Sequence, residues 1–261
     1  MKDYLQLKDI SLSYHTKDGE TLALSGLNFS TQKHEYVSIV GPSGCGKTTI
    51  LSLIAGLIKP SSGEILLDGE KIASPLDVGY MFQRDNLFEW RTIYKNVTLG
   101  LELKKKAKDE KSLERVEYLL KQYGLYDFKN SYPSELSGGM RQRVALIRTL
   151  CLSPKILLLD EPFSALDYQT KLDVCDDVRN IVTKEKQTVI AVTHDISEAI
   201  SMSDRVIVLS NRPAKVKKII EIDLPRELSP LKKREYKDFS KYFDLIYKEL
   251  SNEKEEHYSI F

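Results

Sequence analysis

Hydrophobic and polar positions alternate along Tyr4–Ser13 and again along Leu22–Phe29, the period-two pattern of strands with one covered face. A polar turn through Lys17, Asp18 and Gly19 separates them, which predicts an antiparallel pair. From Tyr36 the pattern changes: Tyr36–Val40 is a nearly continuous apolar run ending at a glycine-rich stretch, and Lys47–Leu57 then has helical spacing until Lys59 and Pro60 stop it. The apolar runs at Ile156–Leu159, Val189–Val192 and Val206–Leu209 do not alternate, as expected of strands covered on both faces. Helices between them predict a parallel sheet.

Between Ile93 and Leu150 the chain reads as helical: Leu113, Val116, Leu120 and Tyr123 recur at three- and four-residue spacing and Gly124 stands where a C-cap belongs. Lys104, Lys105, Lys106 and Lys108 read as a solvated face. Near the end, Tyr236, Phe239, Phe243, Ile246 and Leu250 trace an apolar stripe that predicts a helix packed on the body. The polar residues 251–261 are expected to fray.

Composition narrows the class. The 261 residues suffice for one large α/β domain with elaborations or two small domains; with no internal repeat or low-complexity linker, one domain with an inserted helical part is the simpler reading. The cysteines, Cys45, Cys151 and Cys175, are odd in number and lack paired or metal-ligand spacing, which disfavours a secreted disulfide framework. A net charge of +1 leaves no global field to draw the chain onto nucleic acid. The start lacks the layout of a secretory signal and no apolar run is long enough to span a bilayer, so a soluble protein is expected, and any membrane role comes through partners.

Candidate chemistry begins at Gly41, Pro42, Ser43, Gly44, Cys45, Gly46, Lys47 and Thr48, which fit G-x-x-x-x-G-K-[ST] between a predicted strand and a predicted helix. Glycines let successive N–H groups turn inward around phosphate oxygens, and the start of the helix adds positive potential. Lys47 is placed to reach β- and γ-phosphates and Thr48 to put its hydroxyl on Mg²⁺; Thr49 completes the nucleotide contacts. Cys45, beside a helix N-terminus, is a candidate for a lowered thiol pKa and for alkylation that ATP blocks. The strand Ile156–Leu159 delivers Asp160 as Mg²⁺ ligand and Glu161 to another face. With an unperturbed pKa of about 4.3 a glutamate is a weak base at neutral pH, so Glu161 is read as orienting the attacking water. Ser137-Gly138-Gly139 precedes a helix-like run to Leu150 and makes a second anion-compatible helix start.

Leu136-Ser137-Gly138-Gly139-Met140 resembles the signature sequence of ABC (ATP-binding-cassette) ATPases, and with Gly41–Thr48, Gln83, Ile156–Glu161, Ser164-Ala165-Leu166-Asp167 and His194 it repeats that family's motif series in order from Tyr4 to about Leu224. The resemblance implies an α/β fold: a RecA-like P-loop NTPase core with an N-terminal antiparallel β-subdomain and an inserted α-helical subdomain. The division expected is 1–92 with 151–225 for the β-subdomain and core, 93–150 for the helical part and 226–261 for a C-terminal helical extension. It also implies that Tyr14 stacks on adenine, that Gln83 senses Mg²⁺ and water, that His194 contacts the γ-phosphate, that Asp167 belongs to a dimer-contact loop, and that Lys47, Gln83, Glu161 and His194 serve catalysis. Each ATP is then held between Gly41–Thr48 of one copy and Ser137, Gly138 and Gly139 of another in a twofold homodimer. Met140 stands where glutamine is common.

Phe88-Glu89-Trp90-Arg91, Asn211-Arg212-Pro213 and Ile222-Asp223-Leu224-Pro225-Arg226 are similar to segments of importer ATPases of the nitrate, sulfonate, taurine and bicarbonate group, with Glu89 where proline is common. That likeness implies ATP and Mg²⁺ as cofactors, integral membrane permease subunits as partners, an extracytoplasmic solute-binding protein as an indirect one, no nucleic acid, and a place on the cytoplasmic face of the membrane. A soluble ABC ATPase and a non-hydrolysing regulatory module are the alternatives. The missing coiled-coil insertion and the presence of Glu161 and His194 weigh against them.

Overall fold

The computed structural model describes residues 3–16, 19–71, 77–106 and 109–258; the expected turn residues Lys17 and Asp18, and Lys108, lie outside them. The two alternating segments form a hairpin in which β1, Leu5–Thr16, runs antiparallel to β2, Gly19–Thr31. Both outrun their expected ends because the ladder continues from Leu5 opposite Thr31 to Thr16 opposite Gly19. β4, Ser62–Leu67, pairs antiparallel with the other side of β1, and β5, Glu70–Lys71, completes a four-stranded sheet ordered β2-β1-β4-β5.

The second sheet has six strands: β3 (Tyr36–Val40), β6 (Val78–Met81), β7 (Ile156–Asp160), β8 (Val189–Val192), β9 (Arg205–Leu209) and β10 (Val216–Glu221). Their order is β10-β9-β3-β8-β7-β6. All neighbours are parallel except β10, which runs antiparallel to β9. This is the expected α/β architecture, a RecA-like P-loop core beside an antiparallel sheet.

The continuous apolar runs have the predicted cause. Every residue of β3, β7 and β8 is buried, and successive side chains of each strand enter different cores. Leu157, Leu159, Val189 and Ala191 face a cluster built with α2 (Ile93–Leu103), α3 (Glu110–Gln122), α4 (Gly138–Leu150) and α5 (Tyr168–Lys184). Ile156, Leu158, Ile190 and Val192 face another, built with the four-stranded sheet and α1 (Lys47–Ile54). At about 1.5–3 kcal/mol per fully buried large aliphatic side chain, this two-sided burial makes β7 one of the costliest segments to expose.

Helix ends differ from expectation in two places. α1 stops at Ile54, three residues early, because the Leu57 N–H turns back to the Ser52 carbonyl at 2.9 Å. The C-terminal helix, α8, runs from Phe239 to Tyr258, so residues 251–258 continue it instead of fraying. Glutamate and lysine in that stretch are good helix formers. α3 ends as expected at Tyr123 and Gly124, with the Leu125 N–H bonded to the Leu120 carbonyl at 2.8 Å. Lys105 and Lys106 are exposed, and Lys104 is half-buried. Among the described residues no helix is long and apolar enough to cross a membrane.

A third core joins β9, β10, α6 (Ile196–Met202) and α8, with Ile246 at its centre and Tyr236, Phe239, Phe243 and Leu250 packed around it. The apolar stripe therefore docks on the body, and Pro230–Arg234 (α7) lies against α5 and α6. Ile246 is fully buried whereas its neighbour Tyr247 is 57% exposed. Ile246→Ala should cost about 2–5 kcal/mol in chemical denaturation and Tyr247→Ala less than about 0.5 kcal/mol; equal effects would mean that α8 is not held by this face.

Candidate active site

The parallel strands deliver their next residues to one edge of the sheet. β3 is followed by Gly41, β8 by Thr193 and His194, and β6 by Phe82 and Gln83, while β7 ends on Asp160 with Glu161 next. Since β3, β8, β7 and β6 are consecutive neighbours, four distant segments meet where open α/β sheets bind their ligands.

The loop 41–46 connects β3 to α1 by close packing. Gly46 is the N-cap of α1 at φ 116°, and a Cβ there would lie 3.1 Å from Leu24 Cδ2, so both backbone angle and space call for glycine. A Cβ on Gly41 would meet Cys45 Sγ at 2.9 Å and Leu209 Cβ at 3.0 Å. No side chain caps α1, which leaves its first N–H groups to an anion. Lys47 is 8% exposed, and its ammonium donates to the carbonyls of Gly41 and Pro42, each at 2.9 Å. Ser43 and Gly44 are exposed on the loop. Cys45 is only 1% exposed, so the expected reactive thiol is not borne out: packing against Gly41 turns the side chain inward, away from solvent and from an alkylating reagent.

Thr48 Oγ1 donates to Asp160 Oδ1 at 3.2 Å, and the Tyr80 hydroxyl donates to Asp160 Oδ2 at 3.1 Å. Burial raises the Asp160 pKa, while the bonds from Tyr80 and Thr48 pull it down and the Glu161 charge adds to the rise. A hydroxyl and a carboxylate on one side of the phosphate loop fit Mg²⁺, a hard oxygen-seeking cation that commonly takes one or two protein ligands with water and substrate phosphates. Among the described residues no group of three or more His, Cys, Asp or Glu is placed to hold a metal ion. Gln83 is exposed at the same edge.

Glu161 has φ 47°, a left-handed backbone uncommon for a side-chain-bearing residue and found more often at functional sites. Its N–H bonds the Val192 carbonyl at 2.9 Å, and its own carbonyl accepts from Ser164 Oγ at 2.9 Å. The backbone is thus held from two sides. His194 Nδ1 donates to Glu161 Oε2 at 3.1 Å, and the imidazole is largely exposed. At the other side of α1, the Tyr14 hydroxyl lies 3.3 Å from Thr49 Oγ1 with its ring 41% exposed.

The second anion-compatible feature stands apart. Ser137 is the N-cap of α4 and accepts from the Met140 N–H at 3.3 Å. With Gly138 it lines a cavity of about 420 Å³ together with Arg84, Asp85, Ala165, Leu166, Asp167 and Thr170, and no residue of the 41–48 loop reaches it. Gly139 is buried, and a Cβ there would come within 2.8 Å of Val174 Cγ2. Asp167 caps α5 by accepting from the Thr170 N–H at 3.1 Å, and those Thr170 bonds hold its carboxyl below the usual range.

Several side chains tie these parts together without being evident in the sequence. Arg141 Nε donates to Asp85 Oδ2 at 3.1 Å, and Arg148 donates to the carbonyls of Asp85 and Asn86, each at 2.7 Å. Buried Asn96 accepts from the Phe88 N–H at 2.7 Å and donates to the Arg91 carbonyl at 2.9 Å. The loop after Gln83 is therefore bound to α4 and α2. Tyr80 belongs to the same group of unanticipated residues, and a tyrosine in a short half-buried strand carries no local signal of its partner.

A family model described as ABC transporter matches residues 24–164. The chain belongs to the ABC transporter family. An ABC transporter ATP-binding protein of Methanocaldococcus jannaschii is 44% identical over 240 residues, 91% of this chain and 90% of its own length. The aliphatic sulfonates import ATP-binding protein of Bacillus cereus is 43% identical (85% and 87%), and the nitrate import ATP-binding protein of Synechocystis is 41% identical (93% of both). Among solved structures, a dimeric ABC transporter cassette gives a TM-score of 0.69 at 31% identity, covering 85% of this chain and all of that one. A post-hydrolysis state of a dimeric cassette, bound to ADP and phosphate, gives 0.68 at 31% identity, with the same coverage. As an ABC cassette the chain is an ATPase, and its resemblance to the sulfonate and nitrate importer group holds.

The raised Asp160 pKa has a consequence for stability. A carboxyl whose folded pKa lies above its unfolded value of about 3.9 favours folding only when protonated, so its ionisation costs stability as pH rises through the folded pKa. Asp160→Asn should therefore raise the melting temperature of the nucleotide- and Mg²⁺-free chain at pH 8, by about 1–3 °C, and the gain should vanish near pH 4. A lower midpoint at pH 8 would show that the carboxylate is stabilised where it sits.

Proposed function

We propose that this ABC ATPase energises an importer for a small anion of the nitrate or sulfonate type, docked as a homodimer under integral membrane permease subunits on the cytoplasmic face. An extracytoplasmic solute-binding protein would deliver the solute. The import functions named for the sulfonate and nitrate relatives support the substrate class. The observation that carries the mechanism is the single edge where Lys47, Thr48 with Asp160, and Glu161 with His194 come together.

Lys47 would exchange its bonds to Gly41 and Pro42 for the β- and γ-phosphate oxygens, and the loop N–H groups would take the remaining oxygens. Tyr14, beside Thr49, would offer its exposed ring to the adenine. Thr48, Asp160 and Gln83 would hold Mg²⁺, which when bound neutralises charge on the phosphates. Glu161 would orient water toward the γ-phosphate, kept in place by His194. Ser137, Gly138 and Gly139 lie in a different cavity from the phosphate loop, so in this reading they serve the ATP of the partner copy. The dimeric state of the matching cassettes supports that arrangement.

Coupling would pass through the loop around Gln83 to Trp90. Phe82 is 48% exposed and Trp90 75% exposed, a large apolar area on a segment fastened to α4 by Arg141 and Arg148. We infer that residues 93–150 move as a unit when ATP closes the dimer, and that this exposed segment carries the motion to the permease.

Glu161→Gln should bind ATP with near-normal affinity, lose at least about 10²-fold in kcat, and accumulate an ATP-bound dimer. Phosphate release and size-exclusion light scattering read both. Normal turnover would remove Glu161 from the mechanism, and a strictly monomeric ATP-loaded variant, also with permease present, would defeat the shared-site reading.

A further inference from the structure

We infer that Arg212 is a positioning residue for the phosphate loop: from the turn after β9 its guanidinium holds the Gly44 carbonyl and so fixes the loop in the form that receives nucleotide. The inference rests on the reading of residues 41–48 as the ATP site. Arg212 Nη2 donates to the Gly44 carbonyl at 2.9 Å across 168 positions of sequence. Within the loop, the N–H of the same peptide, that of Cys45, bonds the Pro42 carbonyl at 3.3 Å, so Arg212 holds the carbonyl side and Pro42 the N–H side. Gly44 is exposed, has φ 72°, and would have open space around a Cβ. Glycine accepts either hand of φ, and the Pro42 bond is at the long end of the hydrogen-bond range, so without Arg212 a turn of this peptide, which would aim an acceptor oxygen at the donors an anion needs, is opposed mainly by that one weak bond.

The turn that carries Arg212 is itself well anchored. The Ser210 N–H bonds the Lys215 carbonyl at 3.0 Å, the Lys215 N–H bonds Ser210 Oγ at 3.0 Å, and Ser210 Oγ donates to the Asn211 carbonyl at 3.0 Å. Buried Ala214 donates to the Ala23 carbonyl at 2.9 Å and accepts from the Ser25 N–H at 3.1 Å. Leu24, between those two partners, lies against Gly46 at the far end of the phosphate loop. At the root of the turn, Leu209 packs on Gly41. The same strand ends thus hold both the loop and its guanidinium clamp. A guanidinium makes a charge-assisted bond to a carbonyl, stronger than a neutral one.

The test compares wild type with Arg212→Ala, Arg212→Lys and Ser210→Ala, by equilibrium titration of a fluorescent ATP analogue in EDTA, steady-state ATPase kinetics and thermal melting. For Arg212→Ala the dissociation constant should rise about five-fold, a charge-assisted bond discounted for exposure, with the kinetic loss falling on KM more than on kcat and the melting midpoint within about 2 °C. Arg212→Lys should recover most of the affinity, because one donor suffices, and Ser210→Ala should weaken binding in the same direction by loosening the turn. If Arg212→Ala does not fold, Arg212→Gln replaces it, with an intermediate affinity expected. Affinity within two-fold of wild type in Arg212→Ala, or a loss that tracks melting and is not recovered by lysine, overturns the inference. Failure of the wild type itself to titrate overturns the reading of the site, which is a separate result.

Discussion

Neighbouring parallel strands lie about 4.8 Å apart, and that spacing governs where the chemistry of this chain is placed. β8 stands between β3 and β7, so the strand that feeds the phosphate loop and the strand that ends on Asp160 are separated by two such intervals, about 10 Å. Direct contact between the two strand ends is excluded. The gap is closed by α1, whose first turn carries Thr48 to within 3.2 Å of Asp160, and by β8 itself, which puts His194 beside Glu161. Strand order, more than any single motif, decides which of the segments can meet.

Helix capping gives a second organising rule. Ser137, Asp167 and Asp195 are the N-caps of α4, α5 and α6 and each accepts a bond from a backbone N–H. An ordinary cap and a functional residue are often treated as competing readings, but a residue at a helix start necessarily stands beside unpaired N–H groups and positive potential. The structural duty of Ser137 is therefore compatible with a phosphate contact. Its own side chain is tied to Met140 while Gly138 leaves the backbone open to the cavity.

What was legible in the sequence follows from range. β7 and β8 announce themselves because burial on both faces imposes an uninterrupted apolar run, and the phosphate loop because its glycines answer a local steric demand. β4, β5 and β10 are short or mostly exposed, so alternation had little to act on. Residues 251–258 are helical where their polarity predicts fraying, because polarity alone does not distinguish a loose end from a stretch whose composition favours helix. Tyr80, Arg148 and Arg212 owe their places to partners 62 to 168 positions away, which no window of sequence contains. Cys45 shows the opposite error: its motif position suggested reactivity, and only packing revealed that it faces inward.

The position of His194 depends on groups packed behind it, on α5 and α6. Its neighbour Asp195 shares Lys171 with Glu198, at 2.9 and 2.7 Å, and Glu198 is 4% exposed. Burial pushes the Glu198 pKa up, against the pull of Lys171; burial also acts to raise Asp195, but Lys171 and the Glu198 N–H outweigh it. A buried ion pair of this kind is weak evidence for stability, since desolvation offsets much of the attraction. Geometry is the better account of it. Lys171 joins α5, which Asp167 caps beside the signature cavity, to the start of α6, which follows His194 directly. α7 and α8 both pack on α6, and α7 also touches α5, so the C-terminal segment adds to the support of the helix that follows the histidine. The chain of contacts from α5 through Lys171 and the start of α6 to His194 thus connects the cavity beside Ser137 and Asp167 with the Glu161–His194 pair within a single subunit.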